Sequence, residues 1–85
     1  MKKIKSAPEM NIVGKRIKVA RKRANLSQAS LSMKLELMGI YICRGSVSRL
    51  EHGVRNITDY ELEAIAKILN VSPNELFDWN EETKP

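Results

Sequence analysis

Apolar residues recur along this chain at helical spacings, and no segment alternates polar and apolar residues at period two. That pattern predicts helices throughout and no sheet. Val13, Ile17, Ala20 and Ala24 mark one face of a helix from about Asn11 to Ala24, with Asn11 as N-cap and Asn25 as a left-handed stop. Leu31, Leu35 and Met38 form the core stripe of a second helix, which opens at the N-cap Ser27 and ends at Gly39. Ile40-Tyr41-Ile42 is too short for a strand without a partner and reads as a connection, its isoleucines tucked under the flanking helices. Val47 and Leu50 give a third, short helix one narrow stripe, and Gly53 sits where that helix can stop. Thr58-Asp59-Tyr60-Glu61 matches a capping box ahead of the strongest repeat, Leu62, Ile65, Ala66 and Leu69, which Asn70 closes. Ser72-Pro73-Asn74-Glu75 is a second capping box, and Leu76, Phe77 and Trp79 complete a final short helix. The fold class expected is all-α, a compact bundle of about five helices.

A chain of 85 residues forms one domain without spare length for a second. The expected division is a flexible basic arm over 1–10, the domain over 11–79 and a tail over 80–85. The single cysteine, Cys43, excludes an intramolecular disulfide and a multi-cysteine zinc site. No apolar run approaches membrane-spanning length, and the N-terminus lacks the apolar core of a secretion signal, so the expectation is a cytoplasmic protein with no membrane partner. One histidine, no paired carboxylates in an evident cleft and no glycine-rich phosphate loop argue against an enzyme, a metal or a cofactor.

Charge sharpens the picture. Residues 1–57 hold 13 of the 15 Lys and Arg against three acids, a net +10, whereas residues 58–85 carry seven acids against Lys67 and Lys84, a net −5. The division predicts a polyanion-binding face with the C-terminal part turned away from it. Lys15, Lys18 and Lys22 line one side of the first helix, either as a solvated row or as phosphate contacts. Around the Val47–Leu50 stripe stand Arg44, Gly45, Ser46, Ser48 and Arg49, all basic, small or hydroxylic. A two-turn helix is unstable alone, so neighbours must hold it. Carried by a scaffold, its arginines and serines could enter a DNA major groove. The plainer alternative is a linker helix with a solvated polar face.

Leu26-Ser27-Gln28, Leu31, Ser46-Val47-Ser48-Arg49-Leu50-Glu51-His52-Gly53, Leu62, Ile65-Ala66 and Leu69-Asn70-Val71-Ser72, in this order and spacing, resemble the lambda-repressor-like (XRE/Cro-type) helix-turn-helix family. The resemblance covers about residues 11–78. It implies a bundle of five helices whose second and third form the helix-turn-helix, with a recognition helix over about Arg44 to His52. Arg44, Gly45 and Ser46 would face base edges, with Arg49 one turn further along. Gln28 matches a glutamine that contacts phosphate, and Arg55 lies in a region that touches the DNA backbone. Arg21 and Glu51 match a pair that fixes the recognition helix against the first helix. Ser46 and Ser48 are as suited to capping or phosphate bonding as to base reading. His52 suits a helix-end cation or a phosphate contact.

The sequence departs from the family pattern in three places. About five extra residues lie between Leu35 and Cys43 relative to the usual short turn. Cys43 stands where Ser or Thr usually caps the recognition helix. Ser32 replaces the alanine usually packed in the second helix. The function implied is a sequence-specific double-stranded DNA-binding regulator, expected to be a repressor and to act as a homodimer through Leu76, Phe77 and Trp79. The alternative is an antitoxin or other protein-interaction module of the same fold, whose protein partner would meet Met33, Leu37, Tyr41 and Trp79.

Overall fold

Helix ends decide where this chain turns. The computed structural model describes residues 9–77. Within them run α1 (Gly14–Arg23), α2 (Gln28–Leu37), α3 (Arg44–Glu51), α4 (Asp59–Leu69) and α5 (Pro73–Leu76), with no strand among the described residues. The first four helices all stop by the same device. Asn25, Gly39, Gly53 and Asn70 adopt left-handed backbone conformations. The N–H that follows each one reaches back to a helix carbonyl: Leu26 to Arg21, Ile40 to Leu35, Val54 to Arg49 and Val71 to Ala66. These bonds satisfy carbonyls that a helix end otherwise leaves open.

The starts are equally local. Ser27 Oγ accepts the Ser30 N–H, and Thr58 and Glu61 form the expected capping box. At α5, Pro73 occupies the first turn and the Glu75 carboxylate accepts the Ser72 N–H at 3.1 Å. The starts of α1 and α3 lack such a cap, because Val13 carries no polar side chain and the Cys43 thiol is a poor acceptor.

Between the helices lies one core. Ile17, Leu31, Leu35, Ile42, Val47, Leu50, Ile65 and Leu76 are all but inaccessible to solvent, each worth roughly 1.5–3 kcal/mol by burial. Ile40 and Phe77 pack against it while half-exposed. Two expected core positions lie outside. Ala24 is exposed because it is already the C-cap of α1, past the last residue that could turn inward. Met38, 46% exposed, occupies the same position in α2. Ahead of Asn11, the Met10 N–H donates to Gly53 O at 2.8 Å, so this stretch docks on the loop after α3. Residues 1–8, Trp79 and the tail over 80–85 lie outside the described residues.

Candidate nucleic-acid interface

α3 is anchored along one side and at its C-terminal end, and open at its front. Val47 and Leu50 enter the core, and the Glu51 side chain is wholly inaccessible. The Glu51 carboxylate accepts from Arg21 Nε at 2.6 Å, Arg21 Nη2 at 3.1 Å and Gln28 Nε2 at 3.0 Å. Arg21 Nη1 in turn donates to Leu26 O at 2.7 Å. A buried charge pair is tolerable only when its remaining donors and acceptors are satisfied in this way. The pair implied by the resemblance therefore exists, and Gln28 joins it.

Asn11 grips the same C-terminal end of α3, by its backbone. Its Nδ2 donates to Leu50 O at 3.0 Å and to Arg55 O at 2.7 Å, while its Oδ1 accepts the N–H groups of Val13 and Gly14. Asn11 thus starts α1 from two residues before the formal cap, Val13, and ties it to the end of α3. Gly14 makes the approach possible, since a Cβ there would collide with the carbonyl oxygens of Leu50 and Glu51. Neither long-range contact has a periodic signal in the sequence. A glycine at a helix start is the only hint of close approach.

At the front of α3, Arg44, Gly45 and Arg49 are exposed and Ser46 and Ser48 half-buried. Arg49 Nη2 donates to Ser46 Oγ at 3.0 Å, and Cys43 Sγ lies 3.5 Å from the same oxygen. The Cys43 thiol is held below its ordinary value by hydrogen bonding from the Ser46 side chain first, then by the Ser46 and Gly45 N–H groups and the Arg49 charge. At the rear, Lys15, Lys18 and His52 line a hollow of about 420 Å³ together with Glu9, between the start of α1 and the end of α3. His52 Nδ1–H donates to Ser48 O at 2.8 Å. Lys22 is exposed in the last turn of α1.

Arg55, expected at DNA backbone, is half-buried and tied to Glu61, with Nη1 and Nη2 donating to the carboxylate at 3.2 and 3.3 Å. Nη1 also donates to Asn56 O at 2.8 Å. Burial alone pushes the Glu61 carboxyl up, but the hydrogen bonds from Arg55 and from the Thr58 N–H, with the Arg55 charge, hold it below its ordinary value. Two expected contact residues, Gln28 and Arg55, thus spend their side chains on holding the scaffold. Among the described residues, no group of His, Cys, Asp and Glu is placed to hold a metal, and no helix is long and apolar enough to cross a membrane.

A helix-turn-helix family model matches residues 17–76, which contain nearly all of this arrangement. The chain belongs to the lambda-repressor-like helix-turn-helix family. It is 35% identical over 57 residues to the control protein C.BamHI of Bacillus amyloliquefaciens, a match spanning 67% of this chain and 64% of that relative's length. Its structure resembles the restriction-modification controller protein C.AhdI of Aeromonas hydrophila, with a TM-score of 0.63, 32% identity and coverage of 76% and 87% of the two chains. It also resembles the P22 c2 repressor, solved with a synthetic operator, with a TM-score of 0.64, 27% identity and coverage of 78% and 92%.

In this helix-turn-helix, α2 and α3 are joined by the six residues 38–43. The extra length falls in the connection, and Gly39 with φ +83° turns the chain out of α2. Ser32 then explains itself. Its Oγ donates to Ile42 O at 2.6 Å, stitching the long connection back onto α2 just before α3 begins. An alanine there could not do so.

Proposed function

We propose that this chain is a sequence-specific double-stranded DNA-binding regulator of transcription, acting as a homodimeric repressor by occupying its site. The observation that carries this reading is the division of α3. Its apolar side and Glu51 are locked into the fold, while Arg44, Gly45 and Arg49 stand exposed at its front. A helix about 12 Å long, held by its back and armed at its tip, has the dimensions to enter a major groove. Arginine there can give two bonds to the O6 and N7 of guanine. The family, and the operator bound by the P22 c2 repressor, support the same reading.

Backbone contacts then follow from what remains available. Lys15, Lys18, Lys22 and His52 suit phosphates, and the N-terminus of α2 offers N–H groups and a favourable dipole. Gln28 would act through that helix terminus, since its side chain is bonded to Glu51. Arg55 contributes to backbone contact only through whatever reach its bonds to Glu61 leave it. One such helix reads only a few base pairs. Leu76, expected at the contact between two copies, is buried in the core and cannot make it. Pairing through the half-exposed Phe77, with Trp79, would double the site and give an inverted repeat with half-sites about 34 Å apart.

Selection from random duplexes tests the reading, and an enriched motif with two-fold symmetry is expected. Affinity for it should fall by about 0.9 log units per log unit of salt for each phosphate contacted. No enrichment and a flat salt response would refute it; a motif without two-fold symmetry would remove the dimer alone. A second reading, a module that docks a protein partner, is favoured by one observation: Met33, Leu37 and Tyr41 are 60%, 84% and 78% exposed. Co-purification with the product of a neighbouring gene, abolished by Leu37→Glu, would support it.

A further inference from the structure

The front of α3 contains a contact that the fold does not need. Arg49 runs back along its helix until its guanidinium lies over Gly45, where a Cβ would stand 3.6 Å from Nη1 and 4.0 Å from Nη2. Its Nη2 is bonded to Ser46 Oγ. An arginine this exposed would otherwise sample many rotamers, and holding one when a ligand binds carries an entropic cost. We propose that Ser46 is a positioning residue for DNA readout: its hydroxyl holds the Arg49 guanidinium over the first turn of α3, so that Arg49 meets a base in one geometry. This rests on the DNA-reading function proposed above.

Counting donors and acceptors supports the assignment. A serine oxygen has two lone pairs and one proton. In Ser46 one lone pair takes the Arg49 N–H, and the Cys43 sulfur lies 3.5 Å from the same oxygen. The hydroxyl is thus already engaged with neighbours on its own helix. Arg49 is in the opposite position. A guanidinium has five N–H donors, and the bond to Ser46 uses one. The others suffice for two bonds to guanine without releasing the serine.

Gly45 fits the same picture. Its backbone is not in the left-handed region, so conformation does not require glycine. Glycine inside a helix is unfavourable relative to alanine. A Cβ there would stand in ordinary van der Waals contact with the guanidinium, so alanine would fit beneath it and only a larger side chain would displace Arg49.

The test compares Ser46→Ala, Ser46→Thr, Arg49→Ala and the Ser46→Ala/Arg49→Ala double variant. Each is competed against every single-base variant of the duplex the parent protein selects, and each is checked for folding by circular dichroism. Ser46→Ala should lower discrimination about three- to tenfold, the scale of ordering one rotamer-rich side chain. The loss should fall at the base pair where Arg49→Ala abolishes discrimination. Ser46→Thr, which keeps the hydroxyl, should retain the parent's preference. In the Arg49→Ala background, removing Ser46 should change nothing further. The proposal is overturned if Ser46→Ala affects a different base pair, weakens all sequences alike, costs as much without Arg49, or has no effect. In those cases the parent still selects a motif and DNA reading stands. A parent that selects no motif removes both.

Discussion

Replacing Glu51 by alanine would leave the Arg21 guanidinium buried without its counter-charge. Three hydrogen bonds to the carboxylate vanish, two from Arg21 and one from Gln28. With the two side chains 7% and 0% exposed, water cannot replace them. Removing one partner of such a pair costs about 3–5 kcal/mol, against a total stability of roughly 4–13 kcal/mol for a domain of this length. The melting midpoint should therefore fall by roughly 12–40 °C. Arg21→Ala should cost at least as much, because it also strips Leu26 O of its donor at 2.7 Å. The Arg21→Met/Glu51→Leu double variant, with no charge left to bury, should recover most of the loss and could match the parent. Thermal and urea melts of the parent, the two alanine variants and their double combination give the coupling energy, expected above about 2 kcal/mol. Additivity within about 0.5 kcal/mol would show that the pair does not act as a unit and would refute the reasoning.

Three further outcomes follow from other contacts. The Glu61 carboxyl is held low in the folded state, so it stabilises the protein above its ordinary value of 4.5 and loses that contribution as the pH falls through its lower folded value; melts of Glu61→Gln across that acid window should be flatter than the parent's, and equal slopes would contradict this. Arg44→Ala should cost about 1–3 kcal/mol and relax preference at one base pair, whereas Lys18→Ala should weaken all sequences alike; equal losses on selected and scrambled DNA would make Arg44 a phosphate contact. Cys43, exposed and with its pKa lowered chiefly by Ser46, should alkylate with iodoacetamide at lower pH than a free thiol, and Ser46→Ala should shift that profile upward; an unchanged profile would dissociate the two side chains.

Much of the fold was legible because its punctuation is local. Ser27, Thr58 and Ser72 announce helix starts within three residues, and Asn25, Gly39, Gly53 and Asn70 announce stops by a backbone conformation that few residues adopt. Periodicity erred only where a stripe was extended past its last turn, at Ala24 and Met38. There the chain has begun to leave the helix, and an apolar side chain on the cap has no core above it. The site was legible less evenly. The exposed front of α3 follows from the narrowness of the Val47–Leu50 stripe, which leaves the other positions outside. The Arg21–Glu51 pair came from family resemblance, because charges 30 residues apart carry no mutual pattern. Nothing local reveals that Asn11 holds Leu50 O, that Ser32 holds Ile42 O, or that Arg55 is committed to Glu61. Each partner is set by how the helices pack, and only the assembled bundle brings them within reach.

The grip of Asn11 on α3 falls on a main-chain oxygen, as does that of Ser32 just ahead of it. Both are blind to whatever side chains the helix carries. Within α3 itself only Val47, Leu50 and Glu51 are buried, leaving Arg44, Gly45, Ser48 and Arg49 to vary with little consequence for folding. On the proposed function, target choice and architecture would therefore be written in separate letters of the same eleven-residue word, 43–53. Mutation can rewrite the first set while the second keeps the molecule intact, so a duplicated copy could drift to a new site through a succession of folded intermediates.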